Sequence, residues 1–300
     1  MVQKSLVRYN NPEKTFANAI INNYKSVFQG KGAFPRKRMP ECFICMEGGG
    51  DPLGCACRGV HAHKACMVRF ARESALDRGS TVWSVCAVCN QTFSGAVRRS
   101  LATGWIEHAR DAVDLTLAKN NLMHTVIAIG SYQPAVHMQR DLLRDSVRIH
   151  GTDHPVTMLT AGNLALALSR NDELDAAVAI QRELLCARIR TDGSTHLSTL
   201  IVKGNLATTL MRQGILVESE KLEREVLADR TALLGAENSS TLVSACNLAN
   251  VLGKQGRHSE SAELLRTTHE TQRRVLGATH ADTRATHYAL IQVRITMAQM

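Results

Sequence analysis

Seven cysteines and one histidine between Cys42 and Cys89 fall into four pairs whose spacing suits two closed zinc sites. The segment reads CFICMEGGGDPLGCACRGVHAHKAC, followed by nineteen residues and then CAVC. Tetrahedral zinc takes thiolate and imidazole ligands, and a Cys-x-x-Cys knuckle turns two sulfurs onto one ion. Cys42 with Cys45 and Cys86 with Cys89 have that form, while Cys55 with Cys57 and His63 with Cys66 supply the middle pairs. Eight ligands are the number that two four-coordinate ions need, so the expected cofactor is two Zn2+. His61 competes with His63, and the His-x-x-Cys spacing, which gives a helical start able to aim both donors at one ion, favours His63. With every coordination position filled by protein, neither ion keeps an open place for water. Hydrolysis or deamination at the metal is thereby excluded, and no catalytic side chain is expected.

Composition sets the frame for that chemistry. The chain has 300 residues, 44% of them hydrophobic and only 4% aromatic, which is ordinary for a folded protein long enough for two domains. No signal-like leader opens it and no apolar run is long enough to cross a bilayer, so the expectation is a soluble, cytoplasmic protein with no membrane partner. A reducing compartment disfavours disulfides and leaves paired cysteines as metal ligands. Cys186 and Cys246, isolated in helical sequence, are expected to be small buried apolar side chains. The formal charge of +9 is concentrated in residues 1–40, which carry +7; residues 111–300 are neutral. The basic balance therefore belongs to an amino-terminal arm containing Arg36-Lys37-Arg38, and nucleic acid is not an expected partner of the whole chain.

Four segments follow. Residues 1–40 form a basic arm with a short amphipathic helix, where Phe16, Ile20, Tyr24, Val27 and Phe28 share one face. Residues 41–94 form the metal module, which is too small to own much core and so takes its folding energy from the ions. Residues 95–113 form a connecting helix through Leu101, Trp105 and Ile106. From 114 to 300 the chain repeats with a period of 42: Asn121, Asn163, Asn205 and Asn247 are in step, as are Gly151, Gly193, Gly235 and Gly277, Thr157, Thr199, Thr241 and Thr283, and Arg140, Arg182, Arg224 and Arg266. Each unit predicts two amphipathic helices. Small residues recur where they must pass closely, at Ala165, Ala207 and Ala249 and at Ala177, Ser219 and Ser261. The unit-ending glycines suit a left-handed turn, and Pro155 suits the first turn of the next helix. One helix pair cannot bury its apolar face alone, whereas a stack can. The first unit departs most, with Pro134 entering its second helix and Met123 in place of Ala.

Phrases such as HPVTMLTAGNLALAL and LRTTHETQRRVLGATHADT resemble tetratricopeptide repeats of the kinesin light chain type. The resemblance implies a right-handed superhelix of four repeats and a terminal helix, with a concave groove for a substrate protein or peptide. Asn163, Asn205 and Asn247 are the candidate groove residues, since an amide can both donate to and accept from an extended backbone; tying neighbouring helices together is their alternative role. The order of four Cys, one His and three Cys, with Cys-x-Cys-Arg-Gly at Cys55, resembles the RING-CH variant of RING fingers. That resemblance implies cross-braced ligation, with Cys42, Cys45, His63 and Cys66 on one ion and Cys55, Cys57, Cys86 and Cys89 on the other. It also implies docking of a ubiquitin-conjugating enzyme on Ile44, Trp83, Val88 and Asn90, where Asn90 stands at a position often basic in active ligases; packing around the zinc knuckles is the other role for Ile44, Val88 and Trp83.

The expected fold class is mostly α, a small cross-braced two-zinc finger followed by an α-α tetratricopeptide-repeat superhelix. The expected function is a RING-type ubiquitin-protein ligase that acts by orientation without a covalent intermediate. The alternative is a non-enzymatic adaptor scaffold, and a histone-tail reader of the plant homeodomain type shares the ligand order.

Overall fold

The computed structural model describes residues 51–52, 61–78, 80–86, 93 and 95–300. Of the expected metal ligands, Cys42, Cys45, Cys55, Cys57 and Cys89 lie outside the described residues, as do the docking candidates Ile44, Val88 and Asn90 and the whole basic arm. The chain divides into two compact units, 1–131 and 132–300.

In the first unit a two-residue ladder pairs β1 (Asp51–Pro52) antiparallel with β2 (His61–Ala62). Three helices follow: α1 (Lys64–Arg78), α2 (Gly95–Glu107) and α3 (Ala112–Ala128). A short 3-10 turn, Ser80–Trp83, separates the first two. The core holds Met67 and Ala71 from α1, Val97 and Leu101 from α2, and Trp83 and Cys86 from the segment between them. Helices α1 and α2 pass so closely at Gly104 that an added Cβ would come 2.6 Å from Val68 Cγ1. A branched side chain cannot yield at that distance. Gly104→Val is therefore expected to lower the stability of this unit by about 1–3 kcal/mol through overpacking, read as an earlier urea midpoint in tryptophan fluorescence; an unchanged midpoint would mean the helices are free to separate.

Helix α3 starts on a cap, the Asp111 carboxylate accepting from Asp114 N at 2.8 Å. Asp114 in turn accepts from Trp105 Nε1 at 2.8 Å, and from the backbone N and Nε of Arg110. These donors outweigh the desolvation of its carboxyl and hold it below the ordinary carboxylate range. Residues 112–128, expected to open the first repeat, thus pack on α2 within the first unit.

The second unit is an α-α stack: α4 (Tyr132–His150), α5 (Pro155–Arg170), α6 (Leu174–Asp192), α7 (Leu197–Gln213), α8 (Leu216–Leu234), α9 (Ser239–Lys254), α10 (His258–Val275) and α11 (Ala281–Ala298). Each helix packs on the next, and the alternate helices α5, α7 and α9 also touch one another, which puts them on the inner side of the superhelix. Pro134 sits in the first turn of α4, where its missing N–H costs no helix bond. Asp172, with φ of 66°, makes the tight turn between α5 and α6. The unit-ending glycines take φ from 85° to 95°, a backbone that a Cβ would strain.

The expected close crossings are present. Ala165, Ala207 and Ala249 are fully buried, as are Ala177, Ser219 and Ser261. Ser219 Oγ donates to Ala207 O and Ser261 Oγ to Ala249 O, both at 2.7 Å. The serines fill the crossing without leaving a hydroxyl unpaired. Cys186 is exposed, contrary to the expectation of burial, because it lies on the outward face of α6. Cys246 is half-buried with Sγ 3.2 Å from Thr286 Oγ1, and burial pushes its thiol up.

Candidate functional site

Four of the expected metal-module residues are described, and three of these are candidate ligands. His63 immediately precedes α1 and Cys66 sits in its first turn, with Cys66 Sγ 3.8 Å from His63 Nδ1. Zinc bond lengths of roughly 2.0–2.1 Å to nitrogen and 2.3 Å to sulfur at a tetrahedral angle put two donors about 3.6 Å apart. The His-x-x-Cys pair therefore fits one ion. Cys86 is buried in the first unit's core. Among the described residues alone, no group of three or more potential ligands gathers.

Trp83 does not present the docking surface expected of it. It is 3% exposed and stacks on Trp105 with ring centroids 6.5 Å apart, so burial of its large apolar ring against α2 sets its place. Its role in the structure is packing beside Cys86.

The inner face of the second unit is the better-defined candidate. Residues at i, i+4, i+7 and i+11 of an α-helix share a face, and on α7 these are Ile201, Asn205, Thr208 and Arg212. The period of 42 repeats them as Leu159, Asn163, Leu166 and Arg170 on α5 and as Val243, Asn247, Asn250 and Lys254 on α9. Three stripes run across the stack. Leu159, Ile201 and Val243 are exposed apolar side chains at 41%, 53% and 40%. Arg170, Arg212 and Lys254 form an exposed basic row, and the column of Asn163, Asn205 and Asn247 lies between.

The three asparagines of that column are not equivalent. Asn205 is exposed and lines a cleft of about 350 Å3 with Gln181, Thr208, Thr209, Arg212 and Tyr132. Gln181 is buried in the floor and its Oε1 has no hydrogen-bond partner, leaving an acceptor available to a ligand donor. Asn163 is buried, and Asn247 is half-buried against Glu223, so these two serve the contacts between helices. Arg212 bonds Ser169 O and Oγ and reaches Asp172 at 3.2 Å, which fixes the basic row between adjacent units.

Glu223 occupies on α8 the place that Gln139 and Gln181 hold on α4 and α6. It is 1% exposed, and neither carboxyl oxygen makes a full hydrogen bond. Burial raises its carboxyl from 4.5 to about 8, with Arg230 and Asn247 only softening the shift. At neutral pH it is mostly a neutral acid standing in for an amide.

A second periodic device also escapes the sequence expectations. His154, His196 and His280 cap the inner helices, each Nδ1 accepting from the backbone N–H two residues on at 3.3 Å, and Asn238 does the same at 2.9 Å. Their spacing of 42 was the available signal, but histidine is not among the usual capping residues.

A family model for the tetratricopeptide repeat matches residues 157–197, 199–239 and 241–282 in three consecutive units. Among solved structures, the nearly identical TPR-like repeats of a Podosopora anserina protein named for kinesin light chain align at a TM-score of 0.55 and 23% identity, covering 63% of this chain and 90% of that one. BtubC (BKLC) from P. vanneervenii aligns at a TM-score of 0.52 and 14% identity, covering 89% of this chain and 92% of that one. A comparison with curated proteins finds no match. At these identities the likeness is one of fold. Among the described residues no helix is long and apolar enough to cross a membrane. The repeat half of the chain is thus similar in sequence to tetratricopeptide repeats and similar in fold to the kinesin-light-chain type.

Proposed function

We propose that this chain is a non-enzymatic scaffold for protein–protein interaction, in which the inner face of the repeats holds an extended peptide segment of a partner. The carrying observation is the alignment of three chemically distinct stripes across α5, α7 and α9. Apolar side chains of the peptide meet Leu159, Ile201 and Val243, its backbone amides meet Asn205 and Gln181, and acidic side chains face Arg170, Arg212 and Lys254. Peptides selected from a displayed library against the full chain are expected to be acidic and apolar in alternation. Ile201→Asp and Asn205→Ala should each weaken the selected peptides about tenfold without loss of helicity, the size of an interface anchor. Unchanged affinity in both variants would remove the groove from the account.

For residues 41–94 we infer a module held by two zinc ions, with His63 and Cys66 sharing one of them. When bound, the metal supplies folding energy to a segment with little core. Ubiquitin transfer is the finer reading of that module and rests on the cysteine and histidine spacing together with the fit of His63 to Cys66. The burial of Trp83 withdraws one of its docking residues.

A further inference from the structure

A cleft between α10 and α11 lies apart from the inner groove. It measures about 790 Å3 and is lined by His269, Arg273, Arg284, His287, Tyr288 and Ile291, together with small residues of the turn. Its place in the repeat is informative. Subtracting three periods maps His269, Arg273, Thr283, Arg284 and His287 onto Leu143, Val147, Thr157, Met158 and Ala161. Those five line the corresponding cleft between α4 and α5, which α6 covers with Ile180, Leu184 and Ala187, reducing it to about 300 Å3. The α10–α11 cleft is therefore the seat of an outer helix, and among the described residues no helix lies over it.

Three features say what would sit there. First, positions that are apolar beneath α6 are cationic or imidazole in the last cleft: Leu143 becomes His269, Val147 becomes Arg273, Met158 becomes Arg284 and Ala161 becomes His287. The two imidazoles lie 4.9 Å apart, and the nearby Glu270 is already held by Arg266 at 2.8 Å. Second, apolar area remains exposed around these charges, with Tyr288 at 65% and Ile291 at 39%. Third, Thr283 is 1% exposed and lines the cleft with its Oγ1 unpartnered. Its counterparts Thr157, Thr199 and Thr241 donate to Ser146 O, to Arg188 O and Gly193 O, and to Arg230 O.

We propose that this cleft docks an acidic amphipathic helix of a partner protein, seated where the outer helix of an internal unit lies. Carboxylates pair with Arg273 and Arg284, and the apolar face rests on Tyr288 and Ile291. Charge complementarity selects this occupant over others from the chain itself. Residues 1–40, at +7, would bring like charge to the cleft. A second copy meeting it face to face would set Arg273 and Arg284 against their own counterparts. Ile291 replaces the alanine found at Ala165, Ala207 and Ala249, so the guest helix rides higher than the close internal crossing.

The test uses the full chain and a labelled helical peptide of about 20 residues with leucines at i, i+3, i+4 and i+7 flanked by glutamates, alongside the same peptide with lysines for the glutamates. The acidic peptide is expected to bind and to weaken as salt rises, and the lysine peptide to bind at least about tenfold more weakly. Arg273→Glu with Arg284→Glu should cost the acidic peptide about tenfold or more at unchanged helicity and reverse the preference. A photo-crosslinking amino acid at Tyr288 should label the bound acidic peptide more strongly than one at Ile201, which separates this surface from the groove. Absence of binding, equal binding of the two peptides, or labelling from position 201 alone would overturn the proposal. So would a dimer of the full chain in sedimentation that the Arg273→Glu, Arg284→Glu variant dissolves, since the cleft would then belong to a second copy.

Discussion

If residues 41–94 hold zinc as proposed, a strong chelator will shift the tryptophan emission of the full chain to the red while most of its helical circular dichroism survives. Both tryptophans of the chain, Trp83 and Trp105, lie in the first unit and stack on one another, so their emission reports that unit alone. Cys86 shares their core, and Cys66 packs against it from α1. Metal coordination is worth on the order of 10 kcal/mol or more in small zinc modules, against a few kcal/mol from a small core. Losing it removes the larger stabilising contribution. The eight helices of residues 132–300 contain none of the eight proposed ligands and keep their own buried leucines. Stoichiometric release of two zinc ions should accompany the emission change. An unaltered emission after complete metal removal, or a coordinate loss of emission and helicity, would contradict the separation of the two halves.

The second large effect is a stability that falls between pH 4.5 and 8 and is abolished by Glu223→Gln. The carboxyl of Glu223 binds its proton more tightly folded, at about 8, than unfolded, near 4.5. Below pH 4.5 both states are protonated and the group costs nothing. As pH rises through the window the unfolded chain ionises first, so folding loses about 4 kcal/mol by pH 8 and only about 0.4 kcal/mol more above it, as the folded carboxyl ionises too. Glutamine keeps the shape without the charge, as Gln139 and Gln181 show in the same place. The variant is expected to unfold like wild type at pH 4.5 and at distinctly higher temperature or urea at pH 8.5. Glu220 titrates in a different window: Gln255, Arg257 and Arg224 hold it at about 2, so its contribution is lost only as pH falls below about 4.5. A melting temperature of wild type that rises toward pH 8 would contradict this assignment.

Periodic features were the most legible part of the sequence, because each reflects a constraint imposed identically in every unit. The alanine and serine crossings, the unit-ending glycines and the three helix pairs between residues 155 and 275 are of this kind, and these are present. The asparagine column was legible as a column but not as a site. Whether such a residue meets a ligand or a neighbouring helix depends on the side chains around it, which differ from unit to unit: Asn205 is exposed and Asn163 is buried. Which of its two possible roles Trp83 takes was illegible for a related reason. Its spacing from Cys86 says nothing of Trp105, nineteen residues beyond Cys86, whose ring it stacks against. Glu223 was invisible because a lone glutamate in a helix reads as a solvated charge until burial is known. The α10–α11 cleft emerges only when one unit is superposed on another and the covering helix is found in one and not in the other.

On the function proposed above, the inner face of α5, α7 and α9 is the surface that holds a partner peptide. It is tested most directly by placing a photo-crosslinking amino acid at Ile201 or at Val217, exposed at 53% and 82%, and irradiating the full chain with a selected peptide. A crosslink is expected from position 201, lost in the Arg212→Glu background, and none from position 217. A crosslink from 217 alone, or from both positions equally, would contradict it.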